Sequence, residues 1–151
     1  MSSDVIGVIP ARMGSSRFPG KPITPILGHP MIFHVWQRAK LSGVLDRIII
    51  ATCDEEIREV SESFGAEVVM TSMLHERSND RVAEVATKVK CKTILNIQGD
   101  EPMLQPGMID ATIKPMFEDD DVKGTILAME IINEEQFNDP NALKIVYNLK
   151  G

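Results

Sequence analysis

Strand and helix patterns that alternate through at least four rounds predict an α/β fold for this chain. The arrangement is three-layered and Rossmann-like, a mixed, mainly parallel sheet with helices on both faces and right-handed crossovers. Two further observations agree with it. Val5 to Ile9 and Ile48 to Thr52 are short, nearly continuous apolar runs, the pattern of strands buried on both sides. The length of 151 residues, with 43% hydrophobic and 25% charged side chains, fits one globular domain that buries about two-thirds of its unfolded surface.

The first strand is stopped by Pro10, and a loop rich in Gly, Ser, Arg and Lys follows it. Gly14 and Gly20 allow close backbone approach, Ser15 and Ser16 supply hydroxyl and amide donors, and Arg12, Arg17 and Lys21 bring positive charge. No Asp or Glu occurs from Val5 to Leu45 in a chain whose net charge is -6. A cationic segment within an anionic protein points to a focused anion site, such as one for a polyphosphate. Two familiar phosphate loops do not fit. Five residues separate Gly14 from Gly20 and Pro22 follows Lys21, so neither the spacing nor the metal-binding hydroxyl of a P-loop is present. Pro19, Pro22 and Pro25 forbid the immediate helix of a dinucleotide fingerprint. The loop is expected to wrap its ligand in extended form; a basic surface turn is the simpler alternative.

Ile23 to Leu27 reads as a short extended piece ending at Gly28. A helix then starts at Pro30, with Met31, Val35 and Ala39 at helical spacing, and ends at Ser42-Gly43; His34 and Trp36 read as packing residues on it. After the strand Ile48 to Thr52, a helix runs from Asp54 to Phe64, with Asp54 as cap and Glu55 and Glu56 complementing its dipole. Gly65 closes it and Glu67 to Met70 forms a third strand. The polar stretch Thr71 to Arg81, with Ser78 or Asn79 as cap, leads into a helix whose Val82, Val85, Ala86 and Val89 share a face. Its length and density of donors make it the second place to seek a ligand. Thr93 to Ile97 is a fourth strand ending in Gln98-Gly99-Asp100. Pro106 opens a helix reaching Glu118, and the acidic run that follows reads as a solvated end. Gly124 to Ile131 and Ala142 to Tyr147 read as two further strands.

The remaining composition narrows the function. Net charge argues against nonspecific nucleic-acid or membrane binding. The N-terminus lacks signal-peptide character and no apolar run reaches spanning length, which leads to a cytoplasmic expectation. Cys53 and Cys91 have no metal-type spacing and read as reduced thiols in or near the core, while His29, His34 and His75 are too scattered for zinc. In open α/β sheets ligands sit at the carboxyl ends of strands, so the loops Arg12 to Lys21, Thr71 to Arg81 and Gln98 to Asp100 are expected to meet in one cleft. Asp100, just past a buried strand, is placed either to hold the divalent ion of a triphosphate or simply to begin a turn.

Five blocks then carry a resemblance: Ile9 to Pro22, Gly28 to Ile32, Arg81 to Val85, Asn96 to Pro102 and Asp139 to Val146. In this order, along nearly the whole chain, they resemble the 3-deoxy-manno-octulosonate cytidylyltransferase family. The resemblance implies a glycosyltransferase-A-like fold of the nucleotide-diphospho-sugar transferase type, C-terminally incomplete here, with residues 1–151 forming the CTP-binding portion. It also implies transfer of CMP from CTP to an acidic 3-deoxy-2-ulosonic sugar such as KDO, with release of pyrophosphate, to activate the sugar for lipopolysaccharide or capsule. On that basis Arg12, Gly14, Ser15, Ser16, Arg17, Lys21 and Gln98 bind the nucleotide, and Asp100 ligates Mg²⁺. Lys21, Arg12 and Asp100 carry the catalysis. His75, Ser78, Asn79, Arg81 and Gln98 bind the sugar. The second loop departs from the family pattern of Thr-Arg followed by His-x-Ser-Gly-Thr-Asp/Glu-Arg. His75 and Arg81 fit it, whereas Ser72, Arg77, Ser78 and Asn79 do not; an arginine is lost at one place and gained at another, a change of consequence for contacts to the sugar. Family members continue for roughly a hundred residues more, of the order of one small domain, which are expected to supply part of the sugar site, a second metal carboxylate and dimer contacts. A homodimer, a complementing C-terminal chain, a nucleotide binder without turnover, and an enzyme for another acidic sugar are all compatible with the sequence.

Overall fold

Residues 4–14 and 18–146 are described by the computed structural model. Their central element is a parallel sheet in the order β5-β4-β1-β6, formed by β1 (Val5–Pro10), β4 (Arg47–Thr52), β5 (Glu67–Met70) and β6 (Thr93–Asn96). A two-stranded antiparallel ribbon, β2 (Pro25–Ile26) with β3 (His29–Pro30), lies in the first connection. β1 is paired on both sides, Val8 opposite Ile49 of β4 and Asn96 of β6, which is why its apolar run shows no polar alternation.

The side chains of β1 divide the core by the two-residue period of a strand. Ile9 joins Ile50, Ile32, Val35, Trp36 and Ile57 beneath α1 (Met31–Ala39) and α2 (Glu55–Ser63), and α4 (Pro106–Glu118) adds Ile109 to the same cluster. Ile6 and Val8 face the other way and pack with Ile49, Ala51, Val82 and Val85 beneath α3 (Ser78–Lys88). This is the three-layer arrangement that the alternation predicts. The chain steps from β1 outward through β4 to β5, then returns through α3 to place β6 on the other side of β1. The strand order therefore reverses between β1 and β6, where a ligand crevice is expected.

Several local readings are corrected. The piece after the first loop is not one extended segment: Lys21–Ile23 form a 3-10 turn, and Leu27 and Gly28, both at positive φ (49° and 83°), reverse the chain between β2 and β3. Asp54 and Arg77 occupy the cap positions of α2 and α3, yet neither side chain makes a capping bond, and Ser78 is already inside its helix. The strands expected over 124–131 and 142–147 do not form; residues 124–132 and 143–146 carry no strand pairing, and Tyr147 lies outside the described residues. Apolar content supplies only one half of what a strand requires. Its backbone also needs a neighbouring ladder, and among the described residues β6 pairs with β1 alone. Ile126, Met129 and Val146 consequently stand exposed. Between these segments lies a helix that the sequence reading missed, α5 (Glu134–Asn138). Asn133 Oδ1 accepts from the Gln136 amide (2.8 Å) while Gln136 Oε1 accepts from the Ile132 amide (3.1 Å), a reciprocal cap legible as Asn-Glu-Glu-Gln.

Candidate active site

At the carboxyl ends of β1 and β6 lies a cavity of about 380 Å³, bounded by the loop after β1, the loop before α3, and Gln98-Gly99-Asp100 after β6. Backbone bonds bring the first loop there. The Ala11 amide donates to Ala51 (2.9 Å), extending the β1–β4 ladder by one step. The Met13 amide donates to Asp54 Oδ2 (2.8 Å), and the Met13 carbonyl accepts from Gly20 (3.1 Å), closing the neck of the loop. Gly20 adopts φ 72°, and the chain passes directly into the 3-10 turn on which Lys21 stands. From the opposite wall, Gly99 sits so close to β1 that a Cβ there would lie 2.8 Å from the Pro10 carbonyl oxygen. That approach delivers Asp100 to Lys21, and the two form an ion pair (2.7 Å) with side chains 36% and 50% exposed for Lys21 and Asp100. The cation and the carboxylate singled out in the sequence thus face each other across one hollow.

The second wall is built around Glu84 on α3. Its Oε2 accepts from the Ser72 amide (2.8 Å) and lies 2.6 Å from His75 Nε2, while Oε1 pairs with Lys88 (2.6 Å). Lys88 most of all, then the Ser72 amide and the His75 ring, hold the Glu84 carboxyl down at about 2. This network fixes His75 at the cavity edge. Arg81, only 3% exposed, also reaches the cavity. Its guanidinium donates to Thr71 Oγ1, to the Ser72 carbonyl (3.4 Å) and to Cys53 Sγ (3.4 Å), all neutral groups. A buried guanidinium without a carboxylate partner among the described residues is poised to accept an anion.

Of the residues expected at the site, Arg12, Gly14, Lys21, His75, Ser78, Arg81, Gln98 and Asp100 all line the cavity. Ser15, Ser16 and Arg17 lie outside the described residues. Asn79 does not line it; its Oδ1 accepts from Asn96 Nδ2 (2.7 Å) at the end of β6. Sequence reasoning missed three contributors: Glu76 and Arg77, which line the cavity, and Glu84, which holds its second wall. The signal for Glu84 was its place three residues after Arg81 on one helix, within a block already singled out. His34, read as a packing residue, has its Nε2 2.7 Å from the Ile26 carbonyl, and Trp36 is buried.

Among the described residues no group of three or more His, Cys, Asp and Glu side chains gathers as a metal centre. Asp100, the cavity carboxylate that faces Lys21, nevertheless fits a hard divalent ion that takes most of its oxygens from phosphate and water, as Mg²⁺ does. No helix of the described residues is long and apolar enough to cross a membrane.

The "Cytidylyltransferase" family profile matches residues 6–151. The 3-deoxy-manno-octulosonate cytidylyltransferase of Syntrophotalea carbinolica is 42% identical over 147 residues, 97% of this chain and 59% of that protein. The protein of the same name from Solibacter usitatus is 43% identical over 151 residues, 100% of this chain and 60% of its own length. The solved structure of CMP:2-keto-3-deoxy-manno-octonic acid synthetase complexed with CTP is 40% identical, with a TM-score of 0.78, over 80% of this chain and 50% of that one. A Leptospira borgpetersenii cytidylyltransferase, 23% identical with a TM-score of 0.69 over 78% of this chain and 50% of its own, shares the fold. The chain therefore spans about 59% of the length of the relatives it matches. With the profile covering nearly every residue, and with relatives above 40% identity along its length, the chain belongs to the cytidylyltransferase family.

Proposed function

We propose that this chain is the CTP-binding portion of a cytidylyltransferase that transfers CMP from CTP to a 3-deoxy-2-ulosonic acid of the KDO type, releasing pyrophosphate. The observation that carries the reading is the cavity itself, in which Arg12, Lys21, Arg77 and Arg81 converge on a hollow of about 380 Å³ at the switch in strand order. Its volume lies within the range of small-molecule sites, and its charge suits a triphosphate and a sugar carboxylate. The relatives' names and the solved synthetase with CTP support the same chemistry.

In the reaction the sugar 2-hydroxyl oxygen bonds to the α-phosphorus in line, the bond from that phosphorus to the bridging oxygen breaks, the hydroxyl proton is released, and pyrophosphate departs. Lys21 and Arg12 stabilise the charge gathering on the phosphates. Asp100 would hold Mg²⁺, whose charge when bound would offset that of the phosphate oxygens; an Asp100 carboxylate engaged in this way gives up its pairing with Lys21, which then turns to the phosphates. His75, Ser78, Arg81 and Gln98 form the wall against the sugar, and Arg81 offers its fork to the sugar carboxylate. Asn79 acts there through Asn96, as part of the frame of that wall.

CTP with Mg²⁺ is expected to raise the melting temperature, since a ligand of the native state stabilises it. No stabilisation at millimolar CTP would remove the reading. Pyrophosphate release with KDO, measured for the chain alone and after adding the downstream portion of the Syntrophotalea relative, then separates a complete catalyst from a binder. The exposed apolar residues of 124–132 favour the second outcome, in which that stretch pairs with the added portion and turnover depends on it.

A further inference from the structure

Asp54 stands at the cap position of α2, where a carboxylate ordinarily accepts the first free amides of its helix. It makes no such bond. Its Oδ2 instead accepts from the amide of Met13, 41 residues earlier in the chain, at 2.8 Å. Its own amide is held by Thr52 Oγ1 (3.1 Å) at the end of β4, so the carboxylate is mounted on the sheet. Met13 is secured at three points: its amide by Asp54, its carbonyl by Gly20, and its side chain against the core beneath α1 and α2. The neighbours on either side, Arg12 and Gly14, both line the cavity, whereas Met13 does not. A negative charge beside a phosphate loop opposes anion binding by its field, so its presence calls for a compensating geometric role.

We propose that Asp54 is a positioning residue for the nucleotide phosphates: by holding the peptide between Arg12 and Met13 it sets the direction in which Arg12 and Gly14 face the ligand. The role rests on the CTP reading above. A misplacement of about 1 Å in such a frame can cost a reaction on the order of a hundredfold in rate, and a charge-assisted contact that is lost weakens binding by roughly tenfold or more.

The test compares Asp54→Ala, Asp54→Asn and wild type by CTP titration with Mg²⁺ and by hydrogen exchange at the Met13 amide. Asp54→Ala is expected to expose the Met13 amide and weaken CTP binding by about tenfold or more. Asp54→Asn keeps an acceptor while removing the opposing charge, so it is expected to retain protection and to bind CTP within about threefold of wild type or more tightly. Asp54→Glu keeps the charge but shifts the oxygens by one methylene; it is expected to weaken CTP several-fold and serves if the alanine variant does not fold. Ile49→Val, in the separate core cluster beneath α3 on the other face of the sheet from Met13, lowers stability and should leave affinity unchanged. The proposal is overturned by unchanged Met13 exchange in Asp54→Ala, by CTP affinity in that variant within twofold of wild type, by equal losses in Asp54→Ala and Asp54→Asn, or by an equal loss in Ile49→Val. Should wild type bind neither CTP nor pyrophosphate, the nucleotide reading fails and takes this role with it, a result distinct from a wild type that binds and an Asp54→Ala that binds equally well.

Discussion

Replacing Asp100 by Asn should change the affinity for pyrophosphate in opposite directions with and without Mg²⁺. In the free protein Lys21 is neutralised by Asp100 at 2.7 Å. At bulk-water permittivity a pair at that separation is worth about 1.5 kcal/mol. Both side chains are at least a third exposed, and ordering them costs entropy, so the net value falls in the range of about 0.2–1 kcal/mol measured for exposed pairs. An anion that recruits Lys21 must give up that amount. Without divalent ions, Asp100→Asn frees Lys21 beforehand and should tighten pyrophosphate by about 1.4- to 5-fold. Lys21→Ala should weaken it under the same conditions. With Mg²⁺ present both variants should bind pyrophosphate more weakly than wild type, one by losing the carboxylate proposed to hold the metal and the other by losing the cation. Calorimetric titration in chelator and in Mg²⁺ reads all four quantities. If Asp100→Asn weakens pyrophosphate in chelator, Asp100 is not a competitor for Lys21 and the placement of both at one phosphate site is wrong.

Three other outcomes can be measured directly. Arg81→Lys keeps the charge but loses the planar fork and the bonds to Thr71 and Ser72, and should lower CTP-dependent or KDO-dependent signals by tenfold or more while Arg12→Lys costs less, as read by ligand titration. Gly99→Ala would bring a methyl group within 2.8 Å of the Pro10 oxygen, forcing β1 and the Asp100 loop apart at a cost of about 1–3 kcal/mol, which denaturant melts would report together with a loss of the Lys21–Asp100 pair. Glu84, held at about 2 against an ordinary 4.5, contributes stability that is complete above the ordinary value and is lost as pH falls from about 4.5 towards 2. The stability gap between wild type and Glu84→Gln should therefore be widest near neutrality and close on acidification; a gap independent of pH would show that the ionised carboxylate does not hold the second loop.

How much of this was legible beforehand follows from the range of the forces concerned. Val5 to Ile9 and Ile48 to Thr52 declare themselves buried because a strand covered on both faces must be apolar throughout. Pro106 and Gly65 likewise announce a helix start and a helix end through backbone constraints carried by single residues. Lys21, Arg12 and Asp100 were identifiable by residue type, by the absence of competing acids, and by their places after strands. The same local reasoning failed at Gly124 to Ile131 and Ala142 to Tyr147. A strand is stabilised by a partner, and no property of an isolated segment reports whether one is there.

The sequence by itself determined the layered α/β arrangement, the cationic character of the first loop and the family to which the chain belongs, since these depend on periodicity, composition and ordered blocks of residues. Only the tertiary structure decided which side chains meet. It paired Lys21 with Asp100, left Arg81 buried among neutral partners, turned Asn79 towards Asn96, and drew Asp54 away from its own helix to the amide of Met13. Each of those contacts joins residues from different elements, and a carboxylate chooses among the donors within its reach by distance and direction, which the packing of the sheet and its helices sets.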